Sequence, residues 1–142
     1  MKVLICVDYG TSAEIVLAEA AKFLKNFSQP EVYVYTVNDI SPIAFSEGYD
    51  SAVVMQTVEE KMNELKQRAA EIFAPATIKF DIDLGYPMVK ILEKVKSLSV
   101  DLLVLGTHGR TGVEHLIIGS VAEKVLRNAT CNTLVIPVKD KV

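Results

Sequence analysis

Four of the chain's seven glycines fall in one stretch, GTHGRTGVEHLIIGS, at residues 106–120. It follows the apolar run LLVLG and precedes VAEKVLRNA, whose apolar residues recur at helical spacing. Glycine lets a ligand come close to the backbone. The pair Gly119-Ser120 just before a helix offers unpaired N–H groups and the positive end of the helix dipole, a combination that suits a phosphate. The Ser120 hydroxyl can cap that helix or donate to a phosphate oxygen. No Gly-Lys-Ser/Thr follows, so this is not a P-loop, and its place after a late strand separates it from the dinucleotide fingerprint. His108 and Arg110 could touch phosphates or stay solvated. His108 and His115, with no cysteine nearby, make a poor metal pair. Asp8, closing the run KVLICVD, could accept from a ribose, help hold a phosphate-bound metal, or cap the next turn.

The elements that must position these residues alternate without a linker or repeat. VLICV is apolar on both faces, as a covered strand requires. Ile15, Leu17, Ala20, Ala21, Leu24 and Phe27 then recur at helical spacing. VYVYTV is a second strand, rich in β-branched and aromatic residues. Residues 39–51 carry Pro42 and Gly48 and read as an excursion. From Val54, the positions Val58, Met62, Leu65, Ala69 and Ile72 mark an amphipathic helix. IKFDIDL alternates, with Ile78, Phe80, Ile82 and Leu84 inward and Lys79, Asp81 and Asp83 outward, the mark of a sheet edge. Pro87 suits a first helical position, followed by a stripe of Met88, Ile91, Leu92, Val95 and Leu98. LLVLG is a fourth, buried strand. Ser120 opens a last helix burying Ala122, Val125 and Leu126, and TLVIPV at residues 133–138 is the fifth strand.

Five strands alternating with helices predict one α/β domain over residues 1–142, a Rossmann-like parallel sheet with helices on both faces. Order 3-2-1-4-5 places the alternating strand at an edge and the two-faced runs centrally; 2-1-3-4-5 also meets the pattern. In the first order, the loops after strands 1 and 4 meet at the topological switch point, where open α/β sheets bind ligands. The fifth strand is apolar yet lies at the other edge, which predicts a homodimer through residues 133–138.

The 142 residues are 50% hydrophobic and 23% charged, with a net charge of −3, the balance of a packed domain. That charge argues against general binding to nucleic acid or an anionic membrane surface. No run of about 18 apolar residues is present, so a soluble, cytoplasmic protein is expected. Cys6 and Cys131 belong to no paired motif, and Cys6 within KVLICVD reads as an inert buried thiol.

Gly106-x-x-Gly109, nine residues, then Gly119-Ser120 resembles the G-2x-G-9x-G-S/T ATP-binding motif of the universal stress protein family. KVLICVD resembles that family's first strand ending in Asp, GTHGRTG its fourth-strand loop, and GSVAEKVLRNATCNTLVIPV its C-terminal helix and strand. The middle of the chain matches in pattern only. The resemblance implies an adenine nucleotide alpha hydrolase-like fold of order 3-2-1-4-5, usually dimeric through strand 5. It also implies ATP, or else ADP or AMP, with Mg2+ or a similar ion as a frequent companion. Adenine would lie near Asp8 and the main chain of Val37, ribose and phosphates on Gly106 and Gly109, and phosphates against Gly119, Ser120 and Val121. One departure concerns the first loop. The family commonly has Asp-Gly/Phe-Ser, whereas this chain has Asp8-Tyr9-Gly10-Thr11, leaving Thr11 or Ser12 to supply the hydroxyl. The expected function is a nucleotide-dependent regulatory or stress-response homodimer acting on an unspecified protein partner, with no catalytic residue assigned. Slow ATP hydrolysis with Asp8 as base is the enzymatic alternative. A non-nucleotide dimeric interaction module, as in family branches lacking the glycine motif, is the other.

Overall fold

A computed structural model describes residues 1–10, 12–39, 51–107 and 118–138. Residues 40–50 of the excursion, Thr11, and the loop residues His108, Gly109 and Arg110 lie outside these. The described elements run β1 (Lys2–Cys6), α1 (Ser12–Leu24), β2 (Glu31–Asp39), α2 (Ser51–Phe73), β3 (Ile78–Gly85), α3 (Pro87–Leu98), β4 (Leu102–Gly106), α4 (Ser120–Asn128) and β5 (Asn132–Ile136). The five strands form one parallel sheet in the order β3-β2-β1-β4-β5. The order 2-1-3-4-5 is thereby excluded.

Side-chain alternation along β1 explains why its sequence is apolar without interruption. Val3 and Ile5 pack with α1 and α2, while Leu4 faces the opposite core beneath α3 and α4. All three are fully buried. β4 does the same with Leu102 and Val104 on one face and Leu103 and Leu105 on the other. Each such leucine, taken out of water, contributes about 1.5–3 kcal/mol. The result is a rigid central pair, β1 and β4, in register from Val3↔Leu102 to Cys6↔Leu105. Both strands therefore deliver their following loops to the same end of the sheet.

The outer face of β3 is covered by a charged ladder. Lys94 Nζ bridges Asp81 Oδ2 at 2.7 Å and Asp83 Oδ2 at 3.2 Å, and lies 4.9 Å from the centre of the Tyr35 ring. The Tyr35 hydroxyl donates to Asp83 Oδ2 at 2.7 Å. That hydrogen bond, then Lys94, holds the Asp83 carboxyl below its ordinary value.

This ladder corrects the alternation expected for β3. Asp83 is half-buried because Tyr35 and Lys94 engage it, whereas Leu84 is 57% exposed, past Ile82, the last β3 side chain on that face packed against the α1/α2 core. Leu126 is also corrected. It stands 44% exposed, since the buried stripe of α4 runs through Ala122 and Val125 and continues to Ala129. Phe27 falls beyond the end of α1 and stacks on Phe23 with ring centres 5.4 Å apart. The fifth strand spans Asn132–Ile136 and stops before Pro137, which has no N–H to continue a ladder. Cys6 is half-buried, less than the expected full burial, yet desolvation pushes its thiol well above its ordinary value, with Cys131 adding to the effect.

Candidate functional site

The switch point lies between β1 and β4, whose chains leave toward opposite sides of the sheet. The turn after β1 is organised by Asp8. Its Oδ1 accepts the Gly10 N–H at 2.9 Å and the Ser12 hydroxyl at 3.4 Å. Two residues of reach between a carboxylate and a following N–H is the turn geometry that aspartate favours. Ala13 N–H also donates to the Gly10 carbonyl at 3.1 Å, which starts α1. Asp8 thus performs the capping task, one of its three expected roles. Of the two hydroxyls proposed to compensate for the family's missing serine, that of Ser12 sits against Asp8.

At the other lip, α4 begins at Ser120 with Gly119 as its N-cap, in extended conformation at φ −70° and ψ 161°. Ser120 is therefore the first helical residue and not the cap. Gly119 has no side chain, so no side-chain cap bond closes the helix start. The first N–H groups of a helix have no partner within it. Gly119's own N–H is spent, donating to the Thr107 carbonyl at 2.5 Å, so the helix offers its amides from Ser120 onward. Ser120 and Val121 are both exposed to solvent. The helix dipole adds positive potential there, and the first turn is open.

Thr107, the first residue after β4, was not singled out in the sequence, yet it ties three elements together. Its N–H donates to the Ile136 carbonyl at 3.0 Å, and its Oγ1 accepts the Val138 N–H at 2.9 Å. With the Gly119 bond, it joins the start of α4 to the end of β5. A threonine after a strand carries no sequence signal for such a role.

Val37 enters through its backbone. The β1–β2 register ends at Cys6↔Tyr35, and Val7 N–H still donates to the Tyr35 carbonyl at 3.0 Å, whereas β2 and β3 stay paired to Asp39↔Gly85. Main-chain groups of alternate strand residues point to the same neighbour. Tyr35 points toward β1, so Val37 does too, at the level of the Asp8 turn, where no β1 strand residue remains to pair with it. Its side chain packs half-buried in the α3 core. At the same rim, the Thr36 Oγ1 and Asn38 Oδ1 atoms are buried with no hydrogen-bond partner among the described residues. Buried polar atoms are rarely left so, and orphaned ones mark an unspent capacity to bind.

Asp8, Val37, Gly106, Gly119, Ser120 and Val121 are thus collected at one end of the sheet, around one switch point. His108, Gly109 and Arg110 lie outside the described residues. Among the described residues, no three His, Cys, Asp or Glu side chains converge as a metal site, and no helix is long and apolar enough to cross a membrane.

A doubly wound parallel α/β sheet whose switch point falls between β1 and β4 defines the class of protein. The model of the universal stress protein family matches residues 1–137, and the chain belongs to that family. Universal stress protein MJ0531 of Methanocaldococcus jannaschii is 32% identical over 132 residues, covering 89% of this chain and 78% of that protein. The solved structure of protein MJ0577, from the same organism, superposes with a TM-score of 0.82 at 27% identity, covering 99% of this chain and 97% of the other. A universal stress protein solved in complex with cAMP shares the fold, with a TM-score of 0.71 at 19% identity, covering 96% of each chain.

Proposed function

We propose that the chain is an adenine-nucleotide-binding regulatory protein of the stress response, with ATP as its ligand and ADP or AMP as related occupants. The observation that carries this reading is the start of α4: uncapped, solvent-open, and preceded by the spacing Gly106-x-x-Gly109, nine residues, Gly119-Ser120. Phosphates are assigned to the Ser120 and Val121 amides, and ribose and phosphates to Gly106 and Gly109. His108 and Arg110 are assigned to the phosphate side. The cAMP complex of a fold relative is in keeping with such a ligand.

The base end also fits. Val37 turns its main chain to the rim, and Asn38 Oδ1, with no partner among the described residues, is an acceptor of the kind an exocyclic amine would satisfy. Gly119 acts by its missing side chain, which keeps the helix start open, since its N–H is already engaged. Any Mg2+ is assigned to the phosphate oxygens. Asp8 is assigned to shaping the turn and receiving the ribose, because its Oδ1 is already occupied by Gly10 and Ser12. Nucleotide occupancy would then regulate a homodimer formed along β5, in the cytoplasm.

Replacing Gly119 by Val tests the phosphate end. The backbone at φ −70° and ψ 161° accepts any L-residue, so the variant should fold. Its branched side chain should raise the ATP Kd about tenfold or more, a loss of about 1.4 kcal/mol, read by calorimetric titration. Unchanged affinity would refute the site.

A further inference from the structure

Three hydrogen bonds converge on Thr107 from different parts of the chain: to Ile136 through its N–H, from Val138 at Oγ1, and from Gly119 at its carbonyl. Ile136 and Val138 belong to the α1/α2 core, at 5% and 8% exposure, so their backbone is held firmly. Gly119 is the N-cap of α4. One residue thus fixes the end of β5 against β4 with one set of groups and the opening of α4 with another.

We propose that Thr107 is a positioning residue that couples the start of α4 to the end of β5. The proposal builds on the nucleotide reading, since a ligand at the α4 amides pulls on the segment that Thr107 holds. Of the three bonds, only that at Oγ1 depends on side-chain identity. Threonine and serine can accept the Val138 N–H; valine has the same shape and cannot. Without that anchor, the Thr107 backbone is freer to turn, and its carbonyl is a poorer partner for Gly119. The coupling is reciprocal: whatever tightens at α4 must be felt at Val138, and the reverse.

Amide hydrogen exchange on the full chain with Thr107→Val and Thr107→Ser decides the matter. In the ligand-free protein, Thr107→Val should speed exchange about tenfold at both Val138 and Gly119, the second of which keeps all its own bonding groups. Thr107→Ser should stay near wild type at both. Acceleration at Val138 alone would overturn the coupling. Added ATP should then slow exchange at Val138 in the wild type and not in Thr107→Val; equal slowing in both would also overturn it. A wild type that binds no ATP would sink the nucleotide reading alone, because the ligand-free comparison still decides the role of Thr107.

Discussion

Asp8 carries most of the first loop. Its Oδ1 accepts two donors, one of them the Gly10 backbone N–H in the turn that leads into α1. Replacing it with Ala should cost about 1 kcal/mol of stability, as loss of a helix-start cap typically does. Chemical denaturation would measure this, with no loss at all contradicting the capping role. The same variant separates binding from hydrolysis. Should purified wild-type protein hydrolyse ATP, turnover surviving in Asp8→Ala would reject Asp8 as a base. At this scale the sequence was legible in part. An Asp ending an apolar run pointed to the crevice, and that it caps the turn there became visible only in coordinates. Ser120 suits a cap by residue type yet is the first helical residue, since Gly and Ser are both ordinary N-cap residues and stand side by side. Thr107 makes two of its three bonds with backbone groups, and Val37 meets the rim through its main chain; backbone groups leave no trace in residue type.

Among elements, β3 is the most instructive, since it holds its edge by charge. Glu31 on β2 accepts from Lys79 Nζ at 2.6 Å and from the Tyr33 hydroxyl at 2.5 Å. The Lys79 bond first, and then that of Tyr33, lower the Glu31 carboxyl from 4.5 to about 2. A depressed carboxylate stabilises the fold above its unfolded value and loses that contribution as pH falls through its folded value. The wild type should therefore exceed Glu31→Gln in melting temperature at neutral pH, with the gap closing from about pH 4.5 toward pH 2. Both partners are largely exposed, so the gap should be small and shrink in salt. A gap independent of pH would show that the ion pair is not its source. The alternation IKFDIDL revealed β3 as an edge, yet Leu84 and Asp83 broke the pattern at its end. There Tyr35, from the neighbouring strand, supplies a buried donor that no local reading of β3 contains.

For the whole molecule, strand order followed from one contrast. Runs apolar on both faces had to be central, and the run that alternates had to be at an edge; the coordinates bear this out. β5 is the exception, an apolar strand at the opposite edge. Thr133, Leu134 and Val135 remain only half-buried within the chain. An edge of this kind is a template for a second copy. Light scattering at micromolar concentration should give twice the chain mass; a monomer would contradict a dimer through β5. ATP is proposed to sit between the Asp8 turn and the start of α4. The most direct measurement is an amide-resolved NMR titration of the protein with ATP. Saturable shifts are expected, concentrated at Ser120, Val121, Asp8 and Val37. No shift at millimolar ATP, or shifts confined to residues away from this rim, would contradict it.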